Sequence, residues 1–366
     1  DDGYANTISG GQENSILGSS TSTIGGGRLH LIVDSNDAHL GGGLNSTIVD
    51  AGYSSIGGGE QNFVGDSYSS VGGGYANSIR SGGSYSSILG GQNNVLSGSF
   101  SLIQGGEANT ISGPASVVSG GMYNVASGYA SVVTGGLNNK ATDAWATVTG
   151  GLSNTADGQM ALVIGGGANT ARGDGSSIGG GFANTASGDI SIVTGGKNNK
   201  LKGEGSSIHG GMDHVIVGDF SHIGGGLEHE IEGDYSVVTG GEANTVVGDF
   251  SNINGGLYNR VEGHYSGVSA GVSNTVVGSS NYGTHIAAGL MNTAADASYS
   301  YIGGGEYNTI SGTAFVGNSD SDDGYVLYSV ISGGAFNLNE GDTGTIVAGQ
   351  YHQVSGLAST VVGGRY

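Results

Sequence analysis

Residues Gly105 to Ser119 read Gly-Gly-Glu-Ala-Asn-Thr-Ile-Ser-Gly-Pro-Ala-Ser-Val-Val-Ser, and Gly120 to Thr134 read Gly-Gly-Met-Tyr-Asn-Val-Ala-Ser-Gly-Tyr-Ala-Ser-Val-Val-Thr. The second stretch repeats the first. The shared frame is G-G-x-x-N-x-h-x-G-x-x-S-x-h-x, where h is apolar. A glycine pair, or Ala-Gly, recurs every fifteen residues from Gly105 to Gly271 without a slip. A fixed period of this length marks a stacked repeat architecture.

Each repeat holds two alternating segments, N-x-h-x and S-x-h-x, between glycine-rich corners. Alternation with period two is a strand signal. A helix would carry three or four glycines in every fifteen residues, at about 1 kcal/mol each against alanine. One repeat therefore reads as one lap of strand, corner, strand, corner, with glycine expected to supply the positive φ of the corners. Laps stack in parallel at ~4.8 Å. The expected fold class is all-β: a parallel β-solenoid, or β-roll, of about 23 coils with two short strands in each. Residues 1–104 form irregular coils, many spaced by sixteen. Residues 105–271 hold the strict repeat, and 272–366 hold coils with insertions, including an acidic loop at 317–328.

Alternation also assigns direction. In the Asn strand the asparagine and the apolar residue face inward, and positions such as Thr110, Lys140 and Glu230 face solvent. The expected structural ladder is Asn109, Asn124, Asn139, Asn154, Asn169, Asn184, Asn199, Asn244, Asn259 and Asn274. A buried amide must be hydrogen-bonded, and a column of identical amides at strand spacing satisfies itself. It also fixes register, because a one-residue slip would turn every asparagine outward. In the Ser strand the serine and the apolar residue face inward. The outward position there is often apolar, as at Leu102, Val117, Val132, Leu162, Ile192 and Val237, and this predicts contact with another chain.

Composition limits the function classes. The chain has 366 residues, 79 of them glycine, one proline, no cysteine and a formal net charge of −21. Nucleic-acid binding needs a basic surface and is excluded. No apolar run spans a membrane. The start at Asp1 reads as a mature or trimmed terminus. The first and last coils carry no cap, and both begin or end on a Ser-type strand. Uncovered ends predict head-to-tail association into a filament.

Gly113 to Ser127, read as G-x-x-S-x-h-x-G-G-x-x-N-x-h-x, resembles the head repeats of YadA-like trimeric autotransporter adhesins. The period of fifteen, the extra glycine and the asparagine set this chain apart from them. The resemblance implies a left-handed β-roll, a trimer and a bacterial cell-surface setting.

Several positions invite a site reading. Asp174, Asp189, Glu204, Asp219, Asp234 and Asp249 follow a corner glycine in successive laps; they read either as a cation-binding row or as a solvated acidic edge. Phe220, Tyr235, Phe250 and Tyr265 lie beside them, either as a sugar-stacking surface or as a packing column. Asp320, Asp322 and Asp323 alternate oxygen ligands like a calcium loop, but with the glycine one place late. His30, His214, His229 and His352 stand in asparagine slots. Asn45-Ser46-Thr47 is an N-glycosylation sequon. No catalytic constellation appears, so the expected function is non-enzymatic: an extracellular or cell-surface structural subunit. Its expected partners are further copies of itself, head-to-tail or as a trimer. A trimeric adhesin head binding glycan or matrix is the alternative, and a tailspike-like polysaccharide enzyme is more remote. No cofactor is expected beyond Ca²⁺.

Overall fold

The computed structural model describes residues 5–278, 281–312 and 328–365, and every regular element among them is a β-strand. The chain is a parallel β-solenoid of about 23 laps. A representative lap pairs a Ser strand, Val132–Val133, with an Asn strand, Lys140–Ala141. Contacts divide the chain into two compact units, Asp1–Ala183 and Asn184–Tyr366. The first unit contains twelve Ser strands and eleven Asn strands, and the second contains eleven of each.

Register follows the sequence frame within each unit. In the first, Val132 lies over Thr147 and Lys140 over Thr155. In the second, Lys200 lies over Val215 and Val215 over Glu230. The sixteen-residue spacings keep this order, with Thr7 over Thr23 and Ile8 over Ile24. The two residues inserted before Ser86 also leave it intact, since Ser70 still pairs with Ser87 and Ser78 with Val95. Insertions are absorbed at corners because a slip inside a strand would reverse every side chain. The divergent stretch Arg28 to Leu40 forms ordinary strands, Leu31–Val33 and His39–Leu40.

The core is a thin layer between the two strands of each lap. Val133, Ala141, Val148 and Ala156 are fully buried, as are the inward Ser131, Asn139 and Asn154. In most laps half of the inward positions are thus polar; alanine replaces the serine at Ala146 and Ala161. Apolar burial per lap is small, and backbone bonding between laps carries a correspondingly large share of cohesion.

Glycine supplies one left-handed corner residue in nearly every lap, as expected, with Gly121 at φ 80° and Gly136 at 87°, but it is not the only residue type to do so. In most laps two non-glycine residues also take positive φ, one before each of the two inward slots filled by asparagine and by serine or alanine: Asn138 at 57°, before Asn139, and Trp145 at 57°, before Ala146, for example. This conformation costs an ordinary side chain about 1–2 kcal/mol. It also reverses the amide. Strand residues donate to the following lap, as Lys140 N–H does to Asn154 O at 2.8 Å. Left-handed residues donate to the preceding lap: Asn138 N–H to Met122 O at 2.9 Å and Trp145 N–H to Tyr129 O at 2.8 Å. Those bonds hold the conformation in place. Other corner glycines serve close approach. A Cβ on Gly113 would stand 1.9 Å from Gly128 O, and no side chain fits between the laps there.

Candidate functional site: amide ladder, stacked rings and two unlike faces

The asparagine column is the most ordered side-chain array in the chain. Asn109, Asn124, Asn139, Asn154, Asn169, Asn184, Asn199, Asn244, Asn259 and Asn274 are all fully or almost fully buried. Asn139 shows the bonding. Its Nδ2 donates to Gly135 O at 2.8 Å, within its own corner, and to Gly151 O at 3.0 Å, one lap on. Its Oδ1 accepts the backbone N–H of Asn154 at 2.9 Å. The amide acts as an extra peptide group, completing the inter-lap bonding where the corner has turned the backbone aside. Serine does the same at the other corner. Ser236 Oγ accepts from Ser251 N–H at 3.1 Å and donates to Gly248 O at 2.9 Å. The asparagine column was legible in the sequence; the parallel serine column was signalled by the same fixed spacing.

Histidine substitutes for asparagine incompletely. His229 N–H donates to His214 Nδ1 at 3.1 Å, and Asn244 N–H donates to His229 Nδ1 at 3.1 Å. The two rings stack at 5.0 Å and 4°. An Nδ1 that accepts is unprotonated, so the neutral rings carry hydrogen on Nε2. That Nε2 is buried without a hydrogen-bond partner in His30, His214 and His229. Burial lowers all three pKa values, and that of His229, with the adjacent His214 ring pushing the same way, falls to about 4. His352 keeps a partner, with its Nε2 3.1 Å from Gly364 O.

The acidic corner row is bonded to the backbone rather than merely solvated. Asp219 Oδ1 accepts Glu204 N–H at 2.8 Å, Asp234 Oδ1 accepts Asp219 N–H at 2.8 Å, and Asp249 Oδ1 accepts Asp234 N–H at 2.9 Å. His264 continues the row, its Nδ1 accepting Asp249 N–H at 3.0 Å. Among the described residues no three His, Cys, Asp or Glu side chains converge on a metal site. Asp320, Asp322 and Asp323 lie outside the described residues.

Beside this row, Phe220, Tyr235, Phe250 and Tyr265 stack at 4.8 to 5.2 Å with nearly parallel planes. Phe220 lies over the bare Gly205, where a Cβ would meet its ring at 2.7 Å. The column is therefore a packing ladder that offers ring edges rather than open faces. Tyr53, Tyr68, Tyr85 and Phe100 form a similar column in the first unit. All of these are left-handed corner residues. Asn45 is also a corner residue, exposed at φ 50°, while Ser46 of its sequon is buried in the ladder.

The two sheets present unlike exteriors. Among the described residues, no Asp, Glu, Lys or Arg occupies an outward position of any Ser strand. Exposed apolar side chains sit there, including Leu89, Ile164 and Ile192, each 47% exposed or more. The Asn strands carry Lys140, Lys200, Glu230, Arg260 and further charges.

No family model matches the chain, and no curated protein is detectably similar to it. No helix among the described residues is long and apolar enough to cross a membrane.

Proposed function

We propose that the chain is a non-enzymatic structural protein, a subunit of an extracellular filament or surface appendage, whose copies associate through the Ser-strand face. One observation carries this reading: a chain of net charge −21 keeps an entire sheet exterior free of charged residues. Copies of an acidic protein repel one another. They meet most readily where contact strips water from no ion. Continuous internal ladders support the structural role, because each lap devotes its buried polar atoms to holding the next. The cell-surface setting is supported by the resemblance of the repeat frame to adhesin heads.

The test is negative-stain microscopy and sedimentation of the purified protein, alongside a variant carrying Val117→Lys, Val132→Lys and Leu162→Lys. Filaments, bundles or a defined oligomer are expected for the natural chain, and monomers for the variant. A natural chain that stays monomeric at high concentration refutes the reading. A discrete trimer in the same experiment favours the adhesin-head alternative.

A further inference from the structure

The Asn-strand face of the second unit carries a charge pattern with no counterpart inside the chain. Lys200 and Lys202 project from one lap, Val215 and Val217 from the next, and Glu230 and Glu232 from the one after. The lysines and glutamates are thus two laps apart, about 10 Å at strand spacing. All four charged residues are exposed, and so is Val217. None of them belongs to either ion pair found among the described residues, Arg260–Glu262 and His264–Asp249.

We propose that this face docks against the same face of a second copy, running antiparallel, about a two-fold axis along the strand that holds Val215 and Val217. Such an axis inverts the order of laps and preserves the order of residues within a strand. Lys200 then meets Glu230 of the second copy, and Lys202 meets Glu232. Val217 meets its own counterpart at the centre. One lap further out, Ser187 faces Val247 and Thr185 faces Thr245, with no charge to oppose. The other arrangements fail on the same residues. A two-fold axis along the stack of laps sets Lys200 against Lys202 and Glu230 against Glu232. A parallel side-by-side contact sets lysine against lysine. Like charges in direct opposition are unfavourable, so only the antiparallel arrangement is complementary. It is isologous: one patch serves both partners.

The contact is weak. Five laps give a patch ~25 Å long, at the small end of specific interfaces. Glu204, Asp219 and Asp234 on the adjoining corner face acidic counterparts at its rim. The contact lies on the opposite sheet from the one invoked above and does not depend on it.

Because the chain has no cysteine, single introduced thiols map the arrangement. Val217→Cys is expected to cross-link to itself with a short bis-maleimide. Ser187→Cys is expected to cross-link only when mixed with Val247→Cys. The charge variants Lys200→Glu/Lys202→Glu and Glu230→Lys/Glu232→Lys should each self-associate about tenfold more weakly in sedimentation. Mixed in equal amounts, they should pair with each other. Circular dichroism confirms that each variant is folded. If Val217→Cys stays uncross-linked, or if the mixed charge variants do not pair, this docking is overturned. Association that persists in that case still supports the Ser-strand contact.

Discussion

Acidification should loosen the solenoid at His214 and His229 before it reaches the asparagine laps around them. Both rings are buried, and both accept a backbone N–H on Nδ1. Protonation puts a hydrogen on that nitrogen and turns an acceptor into a donor facing a donor. The unfolded imidazole has its ordinary pKa of 6.5, and the folded His229 has one of about 4. Between those values the unfolded chain holds a proton that the folded chain does not, so stability falls as pH falls. The slope is about 1.4 kcal/mol per pH unit for one such histidine. Over the whole window His229 alone removes about 3 kcal/mol, and below pH 4 it removes no more. His214 is lowered too, chiefly by burial, and adds to the loss, partly offset by the nearby Gly226 backbone and then by the carboxylate of Asp213. Laps open locally in a repeat protein, so the assay is hydrogen exchange at the amides of His229 and Asn244. Protection there should drop between pH 6.5 and 4, relative to Asn154 and Asn169 in the first unit. Replacing both histidines by asparagine should abolish the difference. It should also raise stability at pH 7 by about 1–3 kcal/mol, because each unpartnered Nε2 is replaced by a bonded Nδ2. Equal acid loss in the double variant would refute the reasoning.

Asn139→Ala leaves Gly135 O and Asn154 N–H without their partner and takes one of two donors from Gly151 O, which keeps Leu137 N–H; it should cost about 2–3 kcal/mol, read as lost exchange protection at Asn154. Gly113→Ala drives a Cβ into the Gly128 carbonyl and should cost more than about 2 kcal/mol in chemical denaturation. Gly120→Ala, which meets nothing within 4 Å and keeps an ordinary φ, should be neutral or stabilising by about 0.5 kcal/mol. Tyr235→Ala breaks two ring contacts, to Phe220 and Phe250, and should cost about 1–3 kcal/mol in the same measurement.

The lap, its two strands and the inward asparagine column were all legible in the repeat, because period-two alternation and strict spacing leave no other register. The corners were legible only in their glycines. Nothing in the identity of Trp145 announces a left-handed backbone; that conformation is held by the carbonyl of Tyr129 one lap away. The role of Asp219 was hidden for the same reason, since its hydrogen-bond donor, Glu204 N–H, is fifteen residues distant. The stacked rings were visible as a column, and their spacing shows that they pack on one another. The uncharged sheet exterior was only half visible. Its apolar residues stand out in the sequence, whereas its freedom from charge emerges when all the Ser strands are read as one surface.

Every ordinary lap hands its successor the same acceptors that it received. Excising residues 120–134 would set Asn139 over Asn109 with equivalent bonds, so the physics of stacking leaves the protein's length open to addition and loss by whole increments. Individual laps are told apart only by their exceptions. Removing residues 210–224 would bring Lys200 and Lys202 directly alongside Glu230 and Glu232, to neutralise each other within one molecule. That single excision would spare the scaffold and erase its charge address.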